Sequence, residues 1–477
     1  MIITGYFAVA IAEKILSERY FVAMREEKKG AIYKTGHLNP FLPLNIYIPD
    51  VEPKVFGDRV YLYGSKDLFG GEYCCYKYHV YSAPVANLQE WTDHGPVLAS
   101  RNDYLEEGIE ATIPWSDGLL WAPDVICWKG KYYLYFCQSD GTEGVAESDM
   151  PEGPFVNPRQ ITMNGEPIKG IDPSVLEHDG KVYYTWGQGH CHMAVLQEDM
   201  CSLDGSTYAE AIVSSEPGNH GFHEGSSLRK IGDWFCMVYA SEYKSEFPNR
   251  GSKPTKLDYA VSKDIYGPYE RRGTIIDNTG IDPQSWNNHG SILKIKDQWY
   301  VCYHGSSNNC KYTRRARIAK INVDEVNGVI EQAEMTSVGF ADVLDAAADF
   351  EVAHGYKVTG GAYFTQTDRA FPLVNVTDGC SVSYRYLDFS AGCEWFVKLT
   401  GNFFADGEIL MSINGKLVAR MLFEKGEYHI LAGHLHFDDC SEEDRKYADL
   451  EIMFKARGEA ASDSEILMEL HKLSFES

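Results

Sequence analysis

The chain has 477 residues and a formal net charge of −25, because 69 Asp and Glu residues outnumber 44 Lys and Arg residues. Its hydrophobic fraction of 44% and charged fraction of 24% are those of a globular protein, which excludes wholesale disorder. The basic residues are scattered and form no run longer than a pair. Binding of nucleic acid needs a basic face, so this class of partner is excluded.

The first 37 residues are predicted to be an N-terminal extension. Its apolar run, Tyr6 to Ala12, has no basic residue before it and is interrupted by Glu13 and Lys14, which is a poor match to a signal peptide. No apolar run reaches the about 20 residues of a membrane helix, so no membrane partner is expected. The 12 cysteines show no disulfide-framework spacing. We therefore expect a cytoplasmic location, with an extracellular one left open.

One pattern occurs five times along the chain: an aliphatic stretch, a tight turn and an aromatic-rich strand. The five segments are Pro53–Ser65, Pro123–Cys137, Pro173–Gly187, Ser226–Ser241 and Gly290–Gly305. Such repeats predict an all-β, five-bladed β-propeller over residues 38–340. The alternative is a set of unrelated hairpins in a β-sandwich.

The pattern changes after an Ala- and Asp-rich stretch, Gly339–Ala348, which is predicted to be a linker. From there, residues 349–477 contain strand-like segments that alternate apolar and polar residues, with Gly, Asp and Asn turns between them. They predict a second all-β domain, most simply a jelly-roll-like β-sandwich.

An ionisable residue precedes each of the five repeats, six to eight residues before the turn. These residues are Asp50, Asp124, Asp172, Glu224 and His289. In a propeller the innermost strands begin near the central axis, so these side chains are expected to converge in one cavity. Carboxyl groups that share a partly dry cavity repel one another, and at least one pKa must rise. This arrangement suits acid–base chemistry with one carboxyl ionised and another protonated.

The same motifs carry a family resemblance. They are Asn39–Pro53, Trp121–Val125, Ile171–Ser174, His223–Ser226 and Asn288–Ser291. In this order they resemble glycoside hydrolase family 43, whose members are five-bladed propeller glycosidases. The resemblance implies single displacement with inversion. Asp50 is then the general base, Glu224 the general acid, and Asp172 the residue that orients the acid and raises its pKa.

Two observations bear on these roles: the first weakens the assignment of Asp50, and the second supports the pair Asp50 and Glu224. The family's usual Ala-Asp-Pro at the base is here Pro49-Asp50-Val51, which departs from the pattern. An inverting enzyme needs its base and acid about 6.5–9.5 Å apart. Residues on the first and fourth blades, across a narrow axial channel, can supply that gap.

Other residues are candidates for binding substrate. Asp124 is expected to bind a sugar hydroxyl or to fix a loop, and Trp121 to stack on a sugar or to pack the blade edge. Trp286 and Arg315 are further candidates for contact with substrate. No cofactor is expected to be required. The resemblance implies that His289 helps to hold a structural calcium ion through water; alternatively, it donates a hydrogen bond to substrate, since calcium prefers oxygen ligands.

The C-terminal domain resembles a family 6 carbohydrate-binding module. The stretches that carry this resemblance are Gly379–Phe389, Gly407–Val418 and Leu467–Phe475. The alternative is a structural sandwich that packs on the propeller.

The expected substrates are arabinoxylan, arabinan or xylo-oligosaccharides, from which α-L-arabinofuranosyl or β-D-xylosyl units are removed. An endo-acting arabinanase of the same family and a non-catalytic carbohydrate-binding propeller are the alternatives. Fructan-cleaving propeller enzymes are disfavoured, because their Asn-Asp-Pro-Asn, Arg-Asp-Pro and Glu-Cys motifs are absent.

Overall fold

A computed structural model describes residues 29–71, 73–102, 109–215, 220–241, 256–281, 288–306, 312–368, 370–392, 394–457 and 465–477. Almost all of its regular structure is β-strand. No helix in these ranges is long and apolar enough to cross a membrane.

The first two sheets of the described chain are built from strands that mostly pair with their neighbours in sequence. The first contains β1 (Ile32–Lys34), β2 (Glu52–Phe56), β3 (Arg59–Tyr63), β4 (Lys77–Pro84) and β5 (Glu90–Ala99). The second contains β6 (Asp124–Trp128), β7 (Lys131–Cys137), β8 (Glu143–Ser148) and β9 (Val156–Gln160). Strand β1 falls within the predicted N-terminal extension and forms an edge of the first sheet; residues 1–28 lie outside the described ranges.

Three further sheets follow in the same style. The third contains β10 (Thr162–Met163), β11 (Glu166–Pro167), β12 (Ser174–His178), β13 (Lys181–Trp186), β14 (His190–Leu196) and β15 (Ser202–Ser214). The fourth contains β16 (Phe222–Ile231), β17 (Trp234–Ser241), β18 (Lys256–Ser262) and β19 (Glu270–Asp277). The fifth contains β20 (Ser291–Ile295), β21 (Gln298–Ser306) and β22 (Arg314–Ile321), and a small hairpin follows, β23 (Val323–Asp324) and β24 (Val329–Ile330).

The five sheets form a closed ring. Strand β2 contacts β6 and β20, β12 contacts β6 and β16, and β20 contacts β17 of the fourth sheet. Five apolar clusters lie between neighbouring sheets, including one that joins the first sheet to the fifth. This is the five-bladed β-propeller that the repeats predicted.

Strand alternation explains how each sheet serves two clusters. In β3, Val60 and Leu62 pack with the fifth sheet, whereas Tyr61 and Tyr63 pack with the second. Successive side chains of a strand point to opposite faces, so a strand buried on both faces reads as a continuous apolar run. The aromatic-rich strands of the repeats are therefore the inter-blade walls of the propeller.

The tight turns set the register of the inner hairpins. Lys129 and Gly130 both have positive φ, 50° and 83°, and so do Asp179 and Gly180, 49° and 71°. Two positive φ values in a two-residue loop are the signature of a type I′ turn, whose twist matches that of the flanking strands. In the second and third blades this turn fixes the pairing of the innermost strand with the next strand.

The C-terminal strands form two further sheets. One contains β25 (Leu344–Asp345), β26 (Lys357–Thr359), β29 (Ser381–Asp388), β31 (Gly407–Ile413), β32 (Lys416–Phe423) and β34 (Ala448–Ala456). The other contains β27 (Tyr363–Phe364), β28 (Leu373–Val376), β30 (Trp395–Phe403), β33 (Gly426–Leu435) and β35 (Met468–Glu476). A 3-10 turn, Val352–His354, and a short helix α1, Glu442–Lys446, complete this part of the chain.

Both C-terminal sheets contribute to one apolar core. Leu38 and Val338, from the two ends of the propeller, belong to the same core. The C-terminal part therefore packs where the propeller ring closes. The division at residues 340 and 349 stays a prediction.

Candidate active site

A cavity of about 310 Å³ opens where the innermost strands begin. The residues that line it are Asp50, Tyr73, Trp121, Ala122, Ile171, Asp172, Gln188, His223, Glu224, His289 and Tyr312. The structure thus brings together four of the five ionisable residues that the sequence singled out. Trp121 also lines the cavity, whereas Trp286 lies outside the described residues.

The backbone aims two of the carboxylates into the cavity. Asp50 and Asp172 each lie two residues before an innermost strand, and both have a left-handed φ, 57° and 55°. This region is uncommon for residues other than glycine and costs about 1–3 kcal/mol. Asp50 and Asp172 adopt the same unfavourable backbone conformation at equivalent positions of two blades. This indicates that the direction of the carboxylate toward the cavity matters more here than the local cost in backbone energy.

Asp50 is held as an anion. It is 3% exposed, and Nη1 of Arg314 donates to its two carboxylate oxygens at 2.9 and 3.3 Å. The Asp50 backbone N–H donates to Nδ1 of His304 at 3.2 Å. Burial by itself would raise the pKa of Asp50, but Arg314, with His289 and His304, holds it below its ordinary value. Asp50 is therefore an ionised proton acceptor at neutral pH.

Arg314 was not identified from the sequence. Its Nε and Nη2 donate to the carboxylate of Asp67 at 2.9 and 3.0 Å, and its Nη1 also donates to the Tyr73 hydroxyl at 3.0 Å. The fork geometry of the guanidinium lets one side chain bind two carboxylates at once. Asp67 therefore fixes the cation that keeps Asp50 ionised.

The prediction that Arg315 contacts substrate is corrected. Arg315 is 2% exposed, its Nε donates to the Leu44 carbonyl at 2.8 Å, and its Nη2 donates to the Tyr47 hydroxyl at 3.2 Å. Arg314 and Arg315 are adjacent in β22, so they point to opposite faces of the strand. The sequence showed the pair but not which of the two faces the axis.

Asp172 has the opposite electrostatic environment. Its Oδ2 accepts from the Gly225 backbone N–H at 3.0 Å, and its own N–H donates to Sγ of Cys137 at 3.2 Å. Burial, followed by the charges of Glu224 and Asp50, raises the pKa of Asp172 well above its usual range. Asp172 therefore retains a proton to a higher pH than an exposed aspartate does, and it lies beside Glu224.

Glu224 has its carboxylate at the cavity wall, with the residue 8% exposed. Nε2 of Gln188 donates to its Oε2, and Nε2 of His223 lies 3.5 Å from the same oxygen. Gln188 was also missed by sequence reasoning, because it lies after the third repeat rather than before it. Gln188 therefore orients Glu224 from the neighbouring third blade, whereas His223 precedes Glu224 on the same strand, β16.

His289 lies between the carboxylates. Its Nδ1 is 3.7 Å from Asp50 and 4.0 Å from Asp172, and burial lowers its pKa. Among the described residues, no group of three or more His, Cys, Asp or Glu side chains is arranged to hold a metal ion. Asp50 and Asp172 are also already bonded to Arg314 and to a backbone N–H. This donor set does not fit a directly ligated calcium ion, which needs six to eight oxygens.

The prediction that Asp124 binds substrate is also corrected. Asp124 is fully buried: its Oδ1 lies 2.6 Å from Nζ of Lys54, and its Oδ2 accepts from the Val175 N–H at 2.9 Å. It is the first residue of β6, as Glu52 is of β2. Asp124 is therefore equivalent in position to Glu52, two residues further along the strand than the position of Asp50. Ala122, eight residues before Gly130, takes the cavity position in the second blade.

Trp121 lines the cavity, and its indole N–H is a buried hydrogen-bond donor. Its indole Nε1 is buried and has no hydrogen-bond partner within the part of the chain that is described. A buried indole N–H normally has a partner. Trp121 stays a candidate for contact with substrate because it lines the cavity.

Comparisons with known proteins show what the chain is similar to. A xylosidase/arabinosidase from Thermoclostridium stercorarium is 30% identical over 444 residues, which cover 81% of this chain and 90% of that protein. The crystal structure of an arabinoxylan arabinofuranohydrolase from Bacillus subtilis, in complex with cellotetraose, covers 94% of this chain and 99% of its own with a TM-score of 0.53. At 21% identity, that match shows the fold alone.

A second solved structure covers about two thirds of the chain. It is a β-xylosidase/α-arabinofuranosidase from a compost microbial metagenome, in complex with xylotriose and in a calcium-free form. It is 25% identical, covers 64% of this chain and 98% of its own, and has a TM-score of 0.50. The family model for glycosyl hydrolases family 43 matches residues 38–328, which is more than half of the chain. The chain therefore belongs to glycosyl hydrolases family 43.

Proposed function

We propose that the protein is an inverting glycoside hydrolase that removes α-L-arabinofuranosyl or β-D-xylosyl residues from hemicellulose or pectin fragments. Relatives named xylosidase/arabinosidase and arabinoxylan arabinofuranohydrolase support this substrate class. The buried carboxyl groups around a cavity of about 310 Å³ support hydrolysis rather than binding alone. A non-catalytic propeller would have no need to hold three of them at its axis.

In the proposed reaction Asp50 is the general base and Glu224 the general acid. Ionised Asp50 accepts a proton from a water molecule as the water oxygen attacks the anomeric carbon from the face opposite the leaving group. Glu224, as the general acid, gives a proton to the glycosidic oxygen as the bond to the anomeric carbon breaks. The sugar leaves with inverted configuration, and proton exchange with solvent restores both groups.

The observation that carries this proposal is the contrast between Asp50 and Asp172. Arg314 holds the pKa of Asp50 low, whereas burial and neighbouring carboxylates raise the pKa of Asp172. Two carboxyl groups whose pKa values are pushed apart in this way support Asp50 as the base and the side of Asp172, next to Glu224, as the acidic side of the site. Asp172 contacts the Gly225 N–H, so it positions the Glu224 segment and keeps a proton beside it.

The size of the cavity supports an exo mode of action. A volume of about 310 Å³ is at the lower limit of ordinary ligand cavities, about 300–1,000 Å³, and suits a terminal sugar rather than the middle of a chain. Trp121 lines this cavity and provides an aromatic ring beside the sugar. Release of monosaccharide from arabino- or xylo-oligosaccharides would distinguish this mode from an endo-acting arabinanase, which releases shorter oligosaccharides.

The first test is hydrolysis of 4-nitrophenyl α-L-arabinofuranoside and 4-nitrophenyl β-D-xylopyranoside by the purified protein. Release of nitrophenol from either is expected, and the ratio of the two rates identifies the preferred sugar. Proton NMR during the reaction should show the inverted anomer first. The retained anomer would contradict the role of Asp50.

The general acid is tested with a poor leaving group, which needs protonation most. Glu224→Gln should lower kcat on xylo- or arabino-oligosaccharides by about 10²–10⁴, the usual contribution of general acid catalysis. Loss should be smaller with nitrophenyl glycosides, whose leaving group departs without a proton. Full activity of the variant on oligosaccharides would remove Glu224 as the acid.

We also propose that residues 349–477 form a β-sandwich that binds carbohydrate. The fold is supported by the two C-terminal sheets, which share one apolar core as the layers of a sandwich do. Carbohydrate binding is supported by the resemblance of this part of the chain to a family 6 carbohydrate-binding module.

A further inference from the structure

A second cavity lies between the propeller and the C-terminal sheets. Its volume is about 540 Å³, and it shares no lining residue with the catalytic cavity. One wall is formed by residues 319–322, at the end of β22, together with residues 331–334. The other wall includes Tyr386 of β29, Glu443 of α1, and Tyr447. We call this cavity the interdomain groove.

Two tyrosines give the groove an aromatic wall. The rings of Tyr386 and Tyr447 are 6.2 Å apart at 85°, and Tyr447 is 41% exposed. The Tyr386 hydroxyl donates to Oε2 of Glu334, and Nη1 of Arg385 lies 3.4 Å from Oε1 of the same carboxylate. Burial and the bond to Glu334 raise the pKa of Tyr386 to about 12, so its phenol stays neutral. A fixed ring beside an exposed ring provides apolar faces at low entropic cost.

The remaining lining is polar and held in place. Nζ of Lys320 lies 2.7 Å from Asp342, and the Asn322 amide donates to Oε2 of Glu331 at 2.9 Å. An ionised carboxylate has about four acceptor positions, so these bonds leave capacity for a ligand's hydroxyl groups. With Glu334 and Glu443 the lining carries an excess of negative charge. It therefore disfavours phosphorylated or uronic-acid ligands and suits a neutral polyhydroxyl ligand.

We propose that the interdomain groove is a second carbohydrate site that binds a neutral segment of arabinoxylan or xylan. The choice of polysaccharide rests on the proposed function, whereas the chemical class follows from the tyrosines and the carboxylates. The groove is larger than the catalytic cavity, so it can hold a longer segment of chain. Binding there would keep the polymer on the enzyme while its side groups or ends reach the catalytic cavity.

The test compares exposed tyrosines inside and outside the groove. Native gel electrophoresis in the presence of soluble neutral arabinoxylan is carried out with the full chain carrying Glu224→Gln, so that the polymer is not consumed. Adding Tyr447→Ala is expected to weaken retention about tenfold, the size of one lost aromatic contact. Tyr266→Ala is the matched control, because Tyr266 is 38% exposed and lines neither cavity. Unchanged retention after Tyr447→Ala would overturn the proposal.

A second variant covers the case in which Tyr447→Ala does not fold. Gln332→Ala removes an exposed amide of the groove and is expected to weaken retention about threefold, with an unchanged melting temperature. Equal retention with this folded variant would contradict the site.

Hydrolysis separates this proposal from the proposed function. With Glu224 intact, Tyr447→Ala should cleave nitrophenyl glycosides at the native rate but polymeric arabinoxylan several-fold more slowly. If the native protein cleaves neither nitrophenyl glycoside and Tyr447→Ala still loses retention, the groove stands and the proposed function fails. If the native protein cleaves a nitrophenyl glycoside and Tyr447→Ala keeps full retention, the proposed function stands and the groove fails.

Discussion

At the scale of single residues, the site depends on one cation between two anions. Arg314 is fully buried and binds Asp50 on one side and Asp67 on the other. A buried charge is costly unless it is paired, and here Asp67 keeps the guanidinium in place for Asp50. The ionisation of the proposed base is therefore controlled by a residue that does not itself react.

Replacing Arg314 should shift the pH dependence of the enzyme. In Arg314→Gln the pKa of Asp50 rises, because burial is no longer opposed by the guanidinium. The base is then protonated at higher pH, so the acidic limb of the kcat/KM profile moves upward by about one pH unit or more. Tyr73→Phe retains the guanidinium and should leave the limb in place. If the acidic limb of the kcat/KM profile does not move in Arg314→Gln, the group that titrates in that limb is not Asp50.

A second buried carboxyl affects stability rather than activity. Glu143 is 1% exposed, its Oε2 accepts from the Tyr184 hydroxyl, and its Oε1 has no hydrogen-bond partner among the described residues. Burial raises the pKa of Glu143 to about 8. The folded protein therefore retains a proton that the unfolded chain releases near its ordinary carboxyl pKa.

This difference predicts how stability changes with pH. Glu143 makes its full contribution to the free energy of unfolding below its pKa in the unfolded chain, and this contribution is lost as the pH rises toward 8. Glutamine does not titrate, so Glu143→Gln should not show this loss of stability. The melting temperature of the variant, relative to the native protein, should rise by several degrees between pH 5 and pH 8. Glu147→Gln is the matched control on the same strand, because Asn157 and Lys131 lower the pKa of Glu147. A constant difference for Glu143→Gln would contradict a buried, neutral carboxyl.

At the scale of elements, the starts of the innermost strands form the site. Their register was readable from the sequence because each lies about eight residues before a tight turn. That count placed Asp172, Glu224 and His289 correctly in the cavity, and the same count gives Ala122 rather than Asp124 in the second blade. Sequence reasoning chose Asp124 because it is ionisable, although its offset is six residues.

What the sequence could not supply is contact between distant segments. Arg314 reaches Asp50 across 264 positions of chain, and Gln188 reaches Glu224 from another blade. Which of two adjacent arginines faces the axis depends on the orientation of β22 in the closed ring. Local alternation alone leaves both choices open.

Gly225 links two of these strand starts. Its φ is +71°, its N–H donates to Asp172, and an added Cβ would lie 2.9 Å from the His289 ring. Gly225→Ala should therefore displace Glu224 or His289 and lower kcat about 100-fold, as small misplacements of catalytic groups do. Gly130→Ala is the control, because its φ is +83° and nothing lies within 4 Å. It should lose only about 1–2 kcal/mol of stability from backbone strain and keep its activity. Equal losses of activity in both variants would show that strain, not the close approach to His289, is responsible.

At the scale of the whole molecule, the cavity exists only if the ring of blades closes. The first and fifth blades are held together by an apolar cluster that includes Leu62 and Ala316. Near this closure, the chain that enters the first blade lies beside the chain that leaves the fifth, where Leu38 pairs with Val338 in an isolated bridge. Asp50 and Arg314 belong to these same two blades, so ring closure also assembles the proposed base with its cation.

Asn39 fastens this closure. It is fully buried, its amide donates to the carbonyls of Ile318 at 2.7 Å and Val338 at 3.0 Å, and its Oδ1 accepts from the Ile318 N–H at 3.0 Å. Asn39→Ala would leave several buried backbone groups without partners, each of which costs about 1–3 kcal/mol. We expect the free energy of unfolding in urea to fall by at least about 2 kcal/mol. Activity should decline at lower urea concentration than global structure, because Asp50 and Arg314 separate when the ring opens.

The matched control is Asn327→Ala. Asn327 is exposed, and its side-chain amide donates a hydrogen bond to Asp324, three residues earlier in the chain, at 2.6 Å. Its loss should change the free energy of unfolding by no more than about 0.5 kcal/mol. If Asn39→Ala behaved like Asn327→Ala, closure would be carried by the apolar cluster between the first and fifth blades alone. If it lowered stability while activity and structure were lost together, the ring would open only on global unfolding. An earlier loss of activity would identify the junction of these two blades as the weakest part of the propeller and the part on which the ionised state of Asp50 depends.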